Sequence, residues 1–275
     1  LVNGQKVWTS YAQFAEWGVC LARTDPAAPR HKGISYLAID MKAPGVDVRP
    51  LRQLTGESEF NEVFFTDVFV PHDQLIGPEN DGWRVANSTL SHERGTNPRQ
   101  LVIHIQLLDE LLALADGNGA FDDERLAQGL ADAYVGVRLF QLHNLRSVSR
   151  LAKGEAPGPE GSSLKLYWSE MSKRMHDTVM ATLGPAAPLW KGADGNPGDG
   201  HWQRSWLYYQ ASSIWAGTNE IQRNIIGERV LGLPRPAPRD GSARTAPARE
   251  ARAATAPSGP PGPASPTGPA DQEAS

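Results

Sequence analysis

Cysteine is nearly absent from this sequence of 275 residues. Cys20 stands alone in the apolar run Val19-Cys20-Leu21-Ala22, so an internal disulfide is excluded and a small buried thiol in a reduced compartment is expected. The run of about 18 apolar residues that a membrane-spanning helix needs is missing as well. Because the start also shows no signal-like segment, the sequence predicts a cytoplasmic protein without a membrane partner.

Basic charge is also scarce and scattered. The 27 Lys and Arg residues are outnumbered by 31 Asp and Glu residues, which gives a formal net charge of -4. A phosphate backbone is bound by clustered basic residues, so nucleic acid is not expected as a partner. Metal-ligand spacing is absent too, and no metal site is predicted from His92, His104, His143, His176 and His201.

The first part of the chain has short β-rich runs separated by turn-forming residues, which is typical of a small antiparallel sandwich or barrel. The predicted strands are 6–11, 17–23, 34–40, 46–50 and 62–70. Asn3-Gly4 is a hairpin-turn dipeptide, and such a turn follows a strand. We therefore expect that residues preceding Leu1 have been removed.

From Trp83 onward the apolar period changes to three or four residues, which indicates helices. The longest predicted helix has Asp122 as its cap, Gly154 at its end, and an apolar stripe of Leu126, Leu130, Ala133, Val137, Phe140, Leu145, Val148 and Leu151. Two further helices are predicted over 97–115 and 159–183, and the second should bury Leu164, Trp168, Met171, Met175 and Val179. A last helix is predicted to begin at a capping box of Asn219 and Gln222 and to end at Gly232.

Strands followed by an antiparallel four-helix bundle predict an α+β fold. The predicted divisions are a partial β domain over 1–75, a helical bundle over 76–235 and a tail over 236–275. The tail consists largely of Pro, Ala, Gly, Ser and Arg, which cannot bury enough surface to offset the entropy of ordering. It is therefore predicted to be disordered.

Three segments resemble motifs of the acyl-CoA dehydrogenase family, in the order in which the family has them. The longest runs from Tyr209 to Arg229 and contains Trp215-Ala216-Gly217-Thr218-Asn219-Glu220-Ile221-Gln222-Arg223, similar to the family's terminal motif. Lys6-Val7-Trp8-Thr9-Ser10 is similar to its flavin-facing strand, and 60–83 is similar to the segment between them. The resemblance covers 1–235 and implies a truncated member that lacks the family's N-terminal helical domain.

The resemblance implies FAD as the cofactor, held between the β domain and the bundle, with acyl-CoA entering beside the flavin. Trp8 corresponds to a tryptophan that packs against the flavin, and Ser10 stands where the family has a threonine near N5. Thr218 and Glu220 correspond to positions that touch FAD. Without a ligand, Trp8 would be a core residue and Glu220 a favourable carboxylate at a helix start.

Members of the family convert an acyl-CoA to a trans-2-enoyl-CoA. A carboxylate removes the α-proton while hydride passes to flavin N5, and electron-transfer flavoprotein or a similar acceptor reoxidises the flavin. The usual base precedes the Gly-Thr of the terminal motif, where this chain has Ala216. The isovaleryl and long-chain branches place the base on an earlier helix, and this pattern assigns it to Glu93. The alternative is that Glu93 is a solvated residue at a helix start.

Carbonyl activation does not require a side chain at position 216, because the family uses a backbone N–H there together with a flavin ribityl hydroxyl. Ala216 is therefore predicted to contribute its N–H. Trp215 and Gly217 flank the reacting carbons, and Arg94 is a candidate for orienting Glu93 or meeting the CoA phosphates, with a surface ion pair as the alternative. Small residues at 216 and 217 favour branched or bulky acyl groups.

Two departures from the family pattern concern partners. The element that reaches the FAD of a neighbouring subunit keeps only its phenylalanine, Phe121, and the later glycine-rich turn is Gly184-Pro185-Ala186-Ala187. A homo- or hetero-oligomer with a chain of the same family is therefore expected. Three functions remain open: an active dehydrogenase using Glu93, a non-catalytic subunit that completes a partner's site, and a flavin monooxygenase. No residue in the sequence specifically favours the monooxygenase.

Overall fold

The strands form two small antiparallel sheets. The structure is a computed structural model, and it describes residues 1–93, 98–155 and 158–234, without the side chains of 91–93. The strands are β1 (Val2–Ser10), β2 (Trp17–Arg23), β3 (Ile34–Asp40), β4 (Val46–Leu51) and β5 (Phe60–Val68). The order β1-β5-β4 makes one sheet, and β2-β3 the other. All five predicted strands are confirmed, and the predicted tail lies outside the described residues.

The expectation of a hairpin turn at Asn3-Gly4 is wrong, because both residues lie within β1. The Asn3 side chain donates to the Asp67 carboxylate at 2.9 Å and accepts from the Asp67 N–H at 2.9 Å. Gly4 has φ +143° where the register of β1 against β5 shifts. The dipeptide therefore forms an irregularity in a strand rather than a turn between two.

The two sheets enclose a small apolar core that includes Cys20, as the sequence predicts. Residues of β5 alternate so that Val63 and Phe65 face this core together with Ile39 and Met41. Burial raises the pKa of the Cys20 thiol above its usual value. The thiol is therefore a packing group in this fold.

Six α-helices follow the strands in the part of the chain that the structure describes. They are α1 (Gly82–Glu93), α2 (Pro98–Gly117), α3 (Glu124–Ala152), α4 (Gly161–Leu183), α5 (His201–Gln210) and α6 (Asn219–Ile225), and Ile226–Val230 continues α6 as a π-helical turn. Helix α4 packs against α2, α3, α5 and α6, and α1 packs against β3. The predicted α+β class with a helical bundle is confirmed, while α1 and α5 were not predicted.

Helix α3 differs from its prediction at its cap and along its last turns. Asp123, not Asp122, caps it, because the Asp123 carboxylate accepts from the N–H groups of Arg125 and Leu126. Leu145, Val148 and Leu151 are exposed rather than buried. Asn144 takes the buried position instead, and its side chain donates to the Phe140 carbonyl at 3.0 Å. The apolar residues of α4 are buried as predicted.

Glycine is required where α1 approaches β3. A Cβ atom on Gly82 would lie 2.4 Å from the backbone carbon of Ser35 and 2.5 Å from the Tyr36 nitrogen. No side chain fits at that separation, so Gly82 permits the helix to begin directly against the strand. This contact attaches the first helix to the strand region.

Candidate functional site

The terminal motif contains a tight turn between α5 and α6. Ala216 has φ +53° and Gly217 has φ +87°, so two consecutive residues adopt the left-handed region. That conformation costs an alanine about 1 kcal/mol. The Ala216 N–H has no hydrogen-bond partner among the described residues, and the residue is exposed. The predicted donor is therefore available to a ligand.

A side chain from the first turn of α6 hydrogen-bonds the backbone of this turn. The Gln222 side chain is fully buried and donates from Nε2 to the carbonyls of Ala216 and Gly217, at 3.1 Å each. The expected capping role of Asn219 is wrong, because the Thr218 hydroxyl caps α6 by accepting from the Ile221 N–H. The Asn219 side chain instead points toward α4.

Asn219 is the centre of a buried polar cluster between α4 and α6, which we call the Asn219 cluster. Its Oδ1 accepts from the Lys165 ammonium at 2.8 Å and from the Ser169 hydroxyl at 2.9 Å, and its Nδ2 donates to Glu170 at 2.7 Å. Desolvation lowers the pKa of Lys165 to about 8, opposed by the charges of Glu220 and Glu170.

Trp215, the predicted substrate contact, lies against the aromatic core of the bundle. Its ring is stacked with Trp168 at 6.3 Å between centroids and meets Tyr208 at 4.9 Å. The guanidinium of Arg204, one turn before Tyr208 on α5, lies 5.5 Å from the centre of that tyrosine ring. The same guanidinium bonds Glu57 in the strand region, so the turn is connected to the sheets.

Trp8 lies at a bulge in β1 and is not a core residue. The register shifts between Lys6 and Thr9, and Trp8 has φ +63°. Its side chain is 63% exposed, and its one ring contact among the described residues is a T-shaped contact with Phe60, at 5.9 Å between centroids. Ser10, at the end of the same strand, is also exposed. The indole and the Ser10 hydroxyl are therefore both accessible to a ligand.

Glu93 is the last residue of α1 that the structure describes, far from the helix start at Gly82, so the expectation that it begins a helix is wrong. Its side chain and the whole of Arg94 lie outside the described residues. Glu220, at the start of α6, is exposed, and its pKa is lowered first by local backbone N–H donation and then by the Thr218 hydroxyl. The turn and the start of α6 thus place together Trp215, Ala216, Gly217, Thr218 and Glu220. The position of the Glu93 side chain relative to them lies outside the described residues.

A cavity of about 790 Å³ lies elsewhere, between the two sheets. Lys6, Cys20, Arg23, Phe65 and Phe69 are among its lining residues, and none of the predicted site residues lines it. Within the described ranges, no group of three His, Cys, Asp or Glu side chains is arranged to hold a metal ion. No helix in those ranges is long and apolar enough to cross a membrane.

Sequence reasoning missed Lys165, Ser169 and the role of Gln222. A signal existed on α4, where Lys165, Ser169, Ser172 and His176 repeat every three or four residues beside the apolar stripe. Two adjacent stripes mean that more of the helix circumference is buried than the apolar residues alone indicate. Polar residues in a buried stripe must find partners, which points to a hydrogen-bonded cluster.

Both halves of the chain match domains of known proteins. Residues 1–68 match the acyl-CoA dehydrogenase middle domain, and residues 80–231 match the acyl-CoA dehydrogenase C-terminal domain. Acyl-CoA dehydrogenase IpdE1 of Mycobacterium tuberculosis is 42% identical over 238 residues, which are 86% of this chain and 60% of that protein. FadE34 of the same organism is 38% identical, over 86% of this chain and 31% of its own length.

Solved structures agree with these matches. The ChsE4-ChsE5 complex of Mycobacterium tuberculosis is 30% identical with a TM-score of 0.74, and the Tcur3481-Tcur3483 steroid acyl-CoA dehydrogenase is 26% identical with a TM-score of 0.78. Each comparison covers 85% of this chain and 61% of the other chain. The chain thus spans about 60% of the length of IpdE1 and of both structures. With matched domains over both halves and 42% identity to IpdE1, the chain belongs to the acyl-CoA dehydrogenase family.

Proposed function

We propose that the protein containing this chain catalyses FAD-dependent α,β-dehydrogenation of an acyl-CoA thioester to a trans-2-enoyl-CoA. The observation that carries the proposal is the Ala216 turn. It presents a backbone N–H that has no partner among the described residues, in a strained conformation that the buried Gln222 side chain maintains. Backbone strain concentrates at functional sites, and a fixed donor of this kind stabilises charge that develops on a thioester oxygen.

The exposed residues of β1 fit a flavin. The exposed indole of Trp8 suits stacking on an aromatic ring system, and the exposed Ser10 hydroxyl can donate a hydrogen bond. Thr218 and Glu220 would bind the polar part of the cofactor from the start of α6. When bound, FAD supplies the acceptor for the hydride that leaves the β-carbon.

The remaining chemistry belongs to the chain itself. Glu93 removes the α-proton as the β-hydrogen leaves, and the Ala216 N–H polarises the thioester carbonyl so that the α-proton becomes more acidic. Trp215 and Gly217 flank the acyl group, and Arg94 is assigned to orienting Glu93 or binding the CoA phosphates. A carboxylate on a different helix from the turn leaves room at position 216, where the side chain is a single methyl group.

The small residues Ala216 and Gly217 favour a bulky acyl group. We propose a branched or steroid-derived acyl-CoA as the substrate class. The fold neighbour described as a steroid acyl-CoA dehydrogenase supports this choice. Electron-transfer flavoprotein, or a protein of similar chemistry, is the proposed acceptor of the electrons.

An oligomer with a second chain of the family is also proposed. Helix α3 exposes an apolar face formed by Val135, Leu139, Leu142 and Leu145, opposite its buried side. The related ChsE4-ChsE5 assembly contains two different chains, which supports a hetero-oligomer. The second candidate function follows from Ala216 and the reduced element ending at Phe121: a non-catalytic subunit that completes a partner's site.

The test is anaerobic mixing of the full-length, FAD-loaded protein with butanoyl-CoA, octanoyl-CoA, isovaleryl-CoA and a steroid-ring acyl-CoA while flavin absorbance is followed. We expect bleaching in the wild type, its loss in Glu93→Gln with FAD retained, and no change in the matched control Glu124→Gln at an exposed position. Unchanged bleaching in Glu93→Gln would place the base elsewhere. Absence of FAD and bleaching in every form would favour the non-catalytic subunit.

A further inference from the structure

We propose that Lys165 is a positioning residue for this reaction: through Asn219, it holds the Ala216 turn so that the backbone N–H points at the substrate carbonyl. The inference rests on the proposed dehydrogenation. Lys165 lies on α4, more than 50 positions before the turn, and none of the family motifs described above includes it. Its role follows from the contacts of the Asn219 cluster.

The environment of Lys165 is unusual for a lysine. The residue is only 7% exposed, and its ammonium hydrogen-bonds the neutral Asn219 amide rather than a carboxylate. Burying an ammonium costs far more free energy than burying an apolar side chain of the same length. A leucine or methionine would satisfy packing alone, so the contact with Asn219 is what the amine contributes.

The Asn219 side chain has one orientation in this cluster. Lys165 can only donate, so the amide oxygen must face its ammonium, and the amide nitrogen then faces the Glu170 carboxylate. The Ser169 hydroxyl lies within hydrogen-bond distance of both that oxygen and the Leu166 carbonyl. Turning the amide over would place its NH2 group against the Lys165 ammonium and its oxygen against the Glu170 carboxylate. The first residue of α6 is thereby fixed against α4.

Gln222 transfers this constraint to the turn. It lies one helical turn after Asn219 on α6, and its N–H donates to the Thr218 carbonyl at 2.9 Å. Its side-chain amide donates to the carbonyls of both left-handed residues, Ala216 and Gly217. These bonds oppose the relaxation of Ala216 toward negative φ. Loosening the start of α6 therefore changes the direction of the Ala216 N–H.

The variant to test is Lys165→Met, which keeps an unbranched side chain one atom shorter and removes the donor. Its matched control is Lys173→Met, two turns later on α4 and outside the Asn219 cluster. In the full-length, FAD-loaded protein, we expect Lys165→Met to bleach the flavin at least 10-fold more slowly at saturating acyl-CoA. The acyl-CoA concentration for half-maximal rate, the FAD content and the behaviour of Lys173→Met should change less than about 2-fold.

A substrate-free measurement separates this inference from the proposed function. In protein labelled with [¹⁵N]alanine, the Ala216 amide resonance, assigned by its loss in Ala216→Ser, should shift or broaden in Lys165→Met. An unchanged Ala216 resonance overturns the inference, whatever the activity. If none of the acyl-CoAs bleaches the flavin of the wild type, the proposed function fails, and the role of Lys165 in orienting the donor to a substrate carbonyl fails with it.

Ser169→Ala keeps the test available if Lys165→Met does not fold. It removes one of the two donors to Asn219 and leaves the lysine in place. We expect the same shift of the Ala216 resonance and a smaller loss of bleaching rate, about 3-fold. A Ser169→Ala protein that matches the wild type in both measurements would contradict the role of the Asn219 cluster.

Discussion

Arg204 holds Glu57 with two hydrogen bonds, from Nε at 2.7 Å and from Nη2 at 2.6 Å, although the residues are 147 positions apart. The pair joins α5 to the connection between β4 and β5. The guanidinium also lies against the ring of Tyr208, which contacts Trp215 at the beginning of the Ala216 turn. Arg204 therefore connects the strand region, which carries Trp8, to the turn that carries the proposed carbonyl donor.

Breaking this pair should cost a modest amount of stability. Both side chains are about 40% exposed, so solvent screening limits the loss in Glu57→Gln to about 1 kcal/mol. The hydrogen bond from Arg204 lowers the pKa of Glu57, so the contribution exists above the unfolded pKa and disappears as pH falls through the lowered value. Denaturant unfolding of Glu57→Gln, Arg204→Gln and the double variant measures the coupling, and additive losses would contradict it.

Two buried histidines should make the bundle sensitive to acid. His104 and His176 are fully buried and bond Ser172 and Ser205, and desolvation lowers the pKa of each to about 4. Because the unfolded chain takes up protons at about pH 6.5, the free energy of unfolding should fall as pH decreases from 6.5 to 4. Between pH 7 and pH 5 the loss is about 2 kcal/mol for each histidine.

The measurement is denaturant unfolding at pH 5, 6 and 7 in the wild type, His104→Gln, His176→Gln and the double variant. The double variant should lose most of the pH dependence over this range, while its absolute stability at pH 7 is lower. His201→Gln, which removes an exposed histidine that pairs with Glu110, is the control. A double variant with the wild-type slope would assign the acid sensitivity to other groups.

The indole of Trp8 should govern flavin affinity rather than folding. Its side chain is largely exposed, so Trp8→Ala removes little buried surface and should change the free energy of unfolding of the apoprotein by less than about 1 kcal/mol. Loss of a stacking face should weaken FAD binding at least 10-fold, measured by flavin fluorescence titration. Trp17→Ala, at another exposed tryptophan on β2, is the matched control. Equal FAD affinity in both variants would remove Trp8 from the site.

The apolar face of α3 should be covered in the assembled protein. Leu142, at its centre, is 60% exposed in the single chain, and Leu142→Asp should reduce the assembly to a smaller species in sedimentation equilibrium because a carboxylate cannot be buried there unpaired. Leu54→Asp makes the same change at an exposed position in the strand region and should leave the assembly intact. An unchanged assembly in Leu142→Asp would place the interface elsewhere.

Elements with a long, regular apolar period could be predicted from the sequence. Helix α4 kept its whole predicted stripe, with Leu164, Trp168 and Val179 buried, because the helix packs against α2, α3, α5 and α6. Helix α5 was missed, since its ten residues follow a stretch rich in glycine and its burial of Trp202 depends on packing. The last turns of α3 were predicted wrongly for the opposite reason: their apolar residues repeat correctly but are exposed in the part of the chain that the structure describes.

By itself, the sequence determined that strands precede a helical bundle, the family, and the absence of a carboxylate at position 216. The tertiary structure alone decided that Ala216 adopts a left-handed conformation, that Trp8 is exposed and that Lys165 is buried against Asn219. Local propensity and apolar period act over about ten residues. The bonds that orient the site connect residues about 50 to 150 positions apart, and they exist only once the helices have packed.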